Sequence, residues 1–157
     1  MGRAPSGRRA LALATALVAA GAVAGCTPDD TRQRVEADMQ VDWANQYRDA
    51  QRLQGKSVPR SLHDRVSCDK GGPKVPDRGP GKDWICMVSY RDPATGKPAT
   101  TRYELFVHGE ACYTATDPKL IENSSLPDPT NGATKANPLE QFDGCFSVYD
   151  GKTSTTK

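Results

Sequence analysis

The chain has 157 residues, 6% aromatics, five cysteines and a formal net charge of +2, which leaves room for one domain with a modest core. Its lysines and arginines alternate with acidic residues throughout, so the concentrated positive face that a nucleic acid requires is not written into it. Nucleic-acid binding is therefore excluded as an expectation.

The first segment carries Arg3, Arg8 and Arg9, then an apolar run from Ala10 to about Ala20, then small residues up to Cys26. Basic end, apolar stretch and small-residue cleavage region are the parts of a secretion signal. The stretch Val23-Ala24-Gly25-Cys26 resembles the lipobox of bacterial lipoproteins. That resemblance implies cleavage of residues 1–25, a diacylglycerol on the thiol of Cys26, and a protein held on the extracytoplasmic face of the cell membrane. Two acyl chains, at about 0.8 kcal/mol per buried methylene, anchor far more durably than one. Ala10 to Ala24 is 15 residues, too short at about 1.5 Å each to cross a core about 30 Å thick. Removing the three leader arginines from 21 basic residues leaves 18 against 19 acidic, a net −1, so the apparent basicity belongs to the leader.

Acylation of Cys26 leaves Cys68, Cys86, Cys112 and Cys145, an even set that an oxidising compartment can pair completely. Their spacings of 18, 26 and 33 residues contain no zinc knuckle, and only His108 lies within a few residues of a cysteine, so no metal is expected.

In chain order, Thr27-Pro28-Asp29-Asp30 reads as a helix start with Thr27 as cap, and the helix runs to about Leu53. Val35, Met39, Trp43, Tyr47, Ala50 and Leu53 fall on one stripe, and Gly55 offers the stop. The opposite face mixes Asp38, Asp42 and Asp49 with Arg34 and Arg52, which favours packing on a sheet over lying on a membrane. After Pro59 the period becomes two: Leu62, Val66 and Cys68, then a strand Trp84 to Tyr90, a third with Tyr103, Leu105 and Val107, and a fourth at Ala111 to Thr116. Asp92 to Lys97 and His108-Gly109-Glu110 read as reversals, giving an antiparallel meander. A last strand is placed at Cys145 to Tyr149 and a disordered tail at 151–157.

The resulting expectation is a single α+β domain over 26–150: an N-terminal helix on an antiparallel meander of four to five strands, with two disulfides. Three cysteine connectivities are possible on arithmetic, and the element order favours Cys68 with Cys86 and Cys112 with Cys145. With Arg65-Val66-Ser67-Cys68 and Trp84-Ile85-Cys86, this layout resembles cystatin-like domains of bacterial lipoproteins, a likeness that brings no catalytic residues.

Asp69 to Asp83 reads as a 15-residue loop of four glycines, three prolines and seven charges, a connector or an exposed recognition loop. Its Gly79-Pro80-Gly81 enters a strand, where a phosphate-cradling loop would open a helix. Thr116 to Asn137 reads as a long irregular segment, and Asn123-Ser124-Ser125 matches a glycosylation acceptor whose use the resemblance to a bacterial lipobox argues against. His63 and His108 have no nucleophile motif beside them, so no enzyme activity, catalytic residue or cofactor is expected. Trp43, Trp84, Tyr47 and Tyr90 read as core before cleft. The function expected is a lipid-anchored, non-enzymatic binding or assembly module for an unidentified protein or envelope ligand. The alternative is a surface protease inhibitor, since the disulfide spacing resembles that of bacterial subtilisin inhibitors, although here the helix precedes both bridges.

Overall fold

A computed structural model describes residues 30–121 and 125–146. The leader with Cys26, the Thr27 cap, Asn123-Ser124 and the tail at 151–157 lie outside the described residues.

One helix, α1 (Arg32–Leu53), packs across a five-stranded antiparallel sheet. Its strands are β1 (Arg65–Lys70), β2 (Gly81–Arg91), β3 (Pro98–Val107), β4 (Cys112–Thr116) and the last, which we number β7 (Gln141–Cys145), in the spatial order β1-β2-β3-β4-β7. Between β4 and β7 the chain makes a separate two-stranded ribbon, β5 (Ser125–Pro127) with β6 (Thr134–Ala136).

The helix begins later than Thr27-Pro28 suggested. Thr31 is its N-cap, in extended conformation and without a side-chain capping bond. Its first residues are held instead by the chain around Arg78: Thr31 forms an isolated bridge to Arg78, and the Arg32 N–H donates to Asp77 O at 3.0 Å. At the other end Gly55, with φ +65, accepts the left-handed turn that stops the helix. The Gly55 N–H donates to Arg52 O and the Lys56 N–H to Gln51 O, which satisfies the last carbonyls.

The stripe Val35, Met39, Trp43, Tyr47 and Ala50 is buried, joined by Ala44, against Val66, Trp84, Val88, Tyr103, Leu105, Val107, Tyr113, Ala115 and Phe142 of the sheet. Each fully buried large side chain contributes about 1.5–3 kcal/mol, which fixes the helix on this face of the sheet. Tyr113 adds a polar tie, its hydroxyl donating to Asp42 Oδ2 at 2.7 Å. Gly144 lies beneath that pair, where any Cβ would collide with Asp42 and the Tyr113 ring.

Cys68 and Cys86 are directly opposed in the β1–β2 register and bonded, with Cα atoms 4.1 Å apart. Cys112 and Cys145 are opposed in β4–β7 and bonded, 3.8 Å apart. The hairpin at Asp92–Lys97 forms as its residues require, with Gly96 at φ +67 and the Asp92 carboxylate accepting from the Ala94 N–H and the Thr95 hydroxyl. The next reversal falls at His108-Gly109-Glu110 as expected, and Ala111, which follows it, takes the left-handed conformation at φ +61.

Three boundaries move. The last strand starts at Gln141 and ends at Cys145, because Gln141 to Cys145 pair with Thr116 to Cys112; of the expected Cys145–Tyr149 strand, residues 147–149 lie outside the described residues. The loop after β1 shortens to residues 71–80, since both flanks join the ladder. The segment 116–137 is not wholly irregular: β5 and β6 pair around a turn in which Asp128 accepts from the Thr130 N–H and from Lys135 Nζ at 2.8 Å.

Candidate functional site

The helix covers one face of the sheet and leaves the other to solvent. Period-two alternation then decides which side chains stand on the open face: Arg65 and Ser67 from β1, Met87, Ser89 and Arg91 from β2, and Pro98, Thr100 and Arg102 from β3. The β1–β2 register sets Arg65 opposite Ser89, and the β2–β3 register sets Ser89 opposite Thr100 and Arg91 opposite Pro98.

At this end of the face is an open groove of about 270 Å³, lined by His63, Arg65, Ser89, Tyr90, Arg91 and Pro98. Two arginines, a histidine and a serine are among its lining residues, and no aspartate or glutamate is. Neither Arg65 nor Arg91 takes part in the ion pairs among the described residues. Arg91 spends one N–H on Gly96 O at 2.7 Å, which steadies it against the hairpin turn. Tyr90 turns its ring to the helix side, against Trp43 and Tyr47, where burial, with the nearby Asp92 and Asp117 carboxylates, raises its phenol above the ordinary range. His63 sits at φ +48, a left-handed position rarely taken by a residue with a side chain, and strained residues of this kind gather at binding sites. An arginine fork grips the two oxygens of a carboxylate or phosphate, so the chemistry this groove offers is capture of an anionic group.

The 71–80 loop, by contrast, is an internal clamp. Lys70 Nζ donates to three successive carbonyls, Arg78 O at 2.9 Å, Gly79 O at 3.2 Å and Pro80 O at 2.8 Å. Asp77 accepts the Lys70 backbone N–H at 2.9 Å, Trp84 Nε1 donates to Gly79 O at 3.1 Å, and the Gly79 N–H donates to Asp30 O at 2.8 Å. Three successive carbonyls of this stretch are thus turned inward onto one ammonium.

The other residues singled out in the sequence are dispersed. Trp43 and Trp84 are buried in the core, and Trp43 stacks with Tyr47 and Tyr90 at centroid distances of 5.2 and 4.8 Å, filling the space a cleft would need. His108 bonds Thr114 on the open face, far along the sheet from His63. The two disulfides do not share a side: Cys68–Cys86 is buried beneath the helix, whereas Cys145 is exposed on the open face. Among the described residues no group of three His, Cys, Asp or Glu side chains converges as a metal site requires.

Arg65 and Arg91 were not singled out from the sequence. Their signal was present: both carry the parity opposite to the buried residues of their strands, and pairing Cys68 with Cys86 in direct opposition sets Arg65 against Ser89. What alternation alone could not supply was the turn at His63 that closes the groove. No family model, curated protein or solved structure matches the chain.

Proposed function

We propose that the protein is a lipid-anchored, non-enzymatic binding module of the extracytoplasmic membrane face that captures an anionic group in the groove between His63, Arg65 and Arg91. The observation that carries the reading is the composition of that groove, two arginines and a histidine with no carboxylate among its lining residues. The anchor rests on the lipobox-like Val23-Ala24-Gly25-Cys26, and a helix followed by a disulfide-bearing meander supports the likeness to cystatin-like lipoprotein domains. A charge-assisted hydrogen bond to an anion is worth about 1.5–3 kcal/mol, and each 1.4 kcal/mol is about tenfold in Kd. Titration of the full chain with inorganic phosphate and with a dicarboxylate, followed by amide chemical shifts, should move residues around Ser89 and Arg91. Arg65→Ala and Arg91→Ala should each weaken the binding about tenfold or more. Shifts confined to other parts of the molecule would remove the groove from the proposal. The anchor is tested separately by fatty-acid labelling in cells, where Cys26→Ser should abolish incorporation.

A further inference from the structure

The two edges of the sheet are finished differently. Along β1 three of the backbone groups that turn away from β2 are met by side chains: Glu36 Oε1 accepts the Cys68 N–H at 2.9 Å, Asp77 Oδ1 accepts the Lys70 N–H at 2.9 Å, and Gln40 Nε2 donates to Asp64 O at 2.9 Å. A free edge is a template for another strand, and this one is interrupted by side chains of the helix and the 71–80 loop.

Along β7 nothing comparable is present among the described residues. The Asp117 N–H donates to Glu140 O and the Phe146 N–H to Ala111 O, so residues 140 and 146 face β4. Alternation then turns the N–H and C=O of Gln141, Asp143 and Cys145 outward, and these three residues are exposed. No described residue bonds their backbone groups.

We infer that the β7 edge is a docking site for an extended, basic segment of a partner protein, which adds as a sixth strand. Bare N–H and C=O groups at alternate residues are complementary to another extended backbone. The charge comes from the surroundings: β4 and β7 carry no lysine or arginine, Asp143 stands on the open face, and Asp42 borders Gly144 on the helix side. A second copy is a poor occupant, because the two-fold pairing that satisfies all three outward residues sets Asp143 against Asp143.

The test is backbone amide exchange on the full chain with a short blocked peptide of alternating lysine and threonine, beside the same peptide with glutamate for lysine. The lysine peptide should slow exchange at Gln141, Asp143 and Cys145 by about tenfold or more at saturation, and the glutamate peptide should not. Asp143→Lys, an exposed change that the ladder tolerates, should reverse the preference, and Asp143→Pro, which removes one outward donor, should abolish binding of both. Equal protection by the two peptides, protection at Cys68 and Lys70 instead, or none at all would overturn the inference. Concentration-dependent dimerisation protecting the same amides would assign the edge to a second copy and overturn it equally.

Discussion

Lys70 ties three parts of the molecule together. Its ammonium has three donors and gives all three to the carbonyls of residues 78, 79 and 80, while standing 5.9 Å from the centroid of the Trp84 ring. Those carbonyls belong to the segment that holds Asp30 and Arg32 at the start of α1, so one side chain links β1, the loop and the helix. Lys70→Met keeps the stem and removes the donors. Part of the loss is made good by water, and the expected cost is about 2 kcal/mol in urea unfolding with the slope unchanged. A cost near zero would show that the backbone bonds of the loop suffice without the ammonium.

At the scale of elements, the two disulfides have the same topology and opposite surroundings. Each ties neighbouring antiparallel strands at directly opposed positions, yet Cys68 and Cys86 are buried in the core on the helix side, and Cys112–Cys145 joins β7 to β4 on the open face. Thiol–disulfide exchange needs an approaching thiolate, so access decides the order of reduction. Mild dithiothreitol treatment of the native protein, quenched by alkylation and read by mass spectrometry, should label Cys112 and Cys145 first. Simultaneous labelling of all four would mean that reduction proceeds through global unfolding. Removing the buried bridge by Cys68→Ala with Cys86→Ala should cost about 2–5 kcal/mol, a large share of a small domain's margin.

For the whole molecule, the buried phenols set an alkaline limit. Burial is the first cause of a raised value at Tyr47, Tyr90, Tyr103 and Tyr113, four of the five tyrosines, and it lifts Tyr47 to about 12. At Tyr113 the hydrogen bond to Asp42 adds to the effect. The folded state therefore keeps protons that the unfolded chain loses near its ordinary value of 10.0. The stability these groups contribute is complete below about pH 10 and falls as pH rises through the folded values. Thermal midpoints followed by circular dichroism should drop steeply above about pH 10, with phenolate absorbance appearing together with unfolding. Phenolate appearing before structure is lost would show these side chains to be open to solvent. Asp92 and Asp128 act in the opposite sense. Hydrogen bonds, from Ala94 first and from Lys135 first respectively, hold both below the ordinary 3.8, so their contribution is present above that value and is lost on acidification.

Much of this architecture was legible in the residues because its signals are local. A stripe at helical spacing placed Val35, Met39, Trp43 and Tyr47 inward, alternation placed Trp84, Cys86 and Val88 inward, and Asp92 to Gly96 carried its own turn chemistry. The direct opposition of Cys68 with Cys86 and of Cys112 with Cys145 follows the same element order. What the residues could not declare is what depends on neighbours distant in the chain. Charge and glycine content made 69–83 read as a connector or an exposed recognition loop, because nothing local shows that Lys70 will find three carbonyls eight to ten residues on. Thr27 looked like the cap because capping preferences are local, whereas the helix start is set by the bridge between Thr31 and Arg78. Composition and period determined the class of fold and which face of each element is buried. Only the tertiary structure decided that Arg65 and Arg91 share a groove with His63 and that, among the described residues, side chains meet the β1 edge and none meets the β7 edge, since those facts arise from register and from contacts that close long loops.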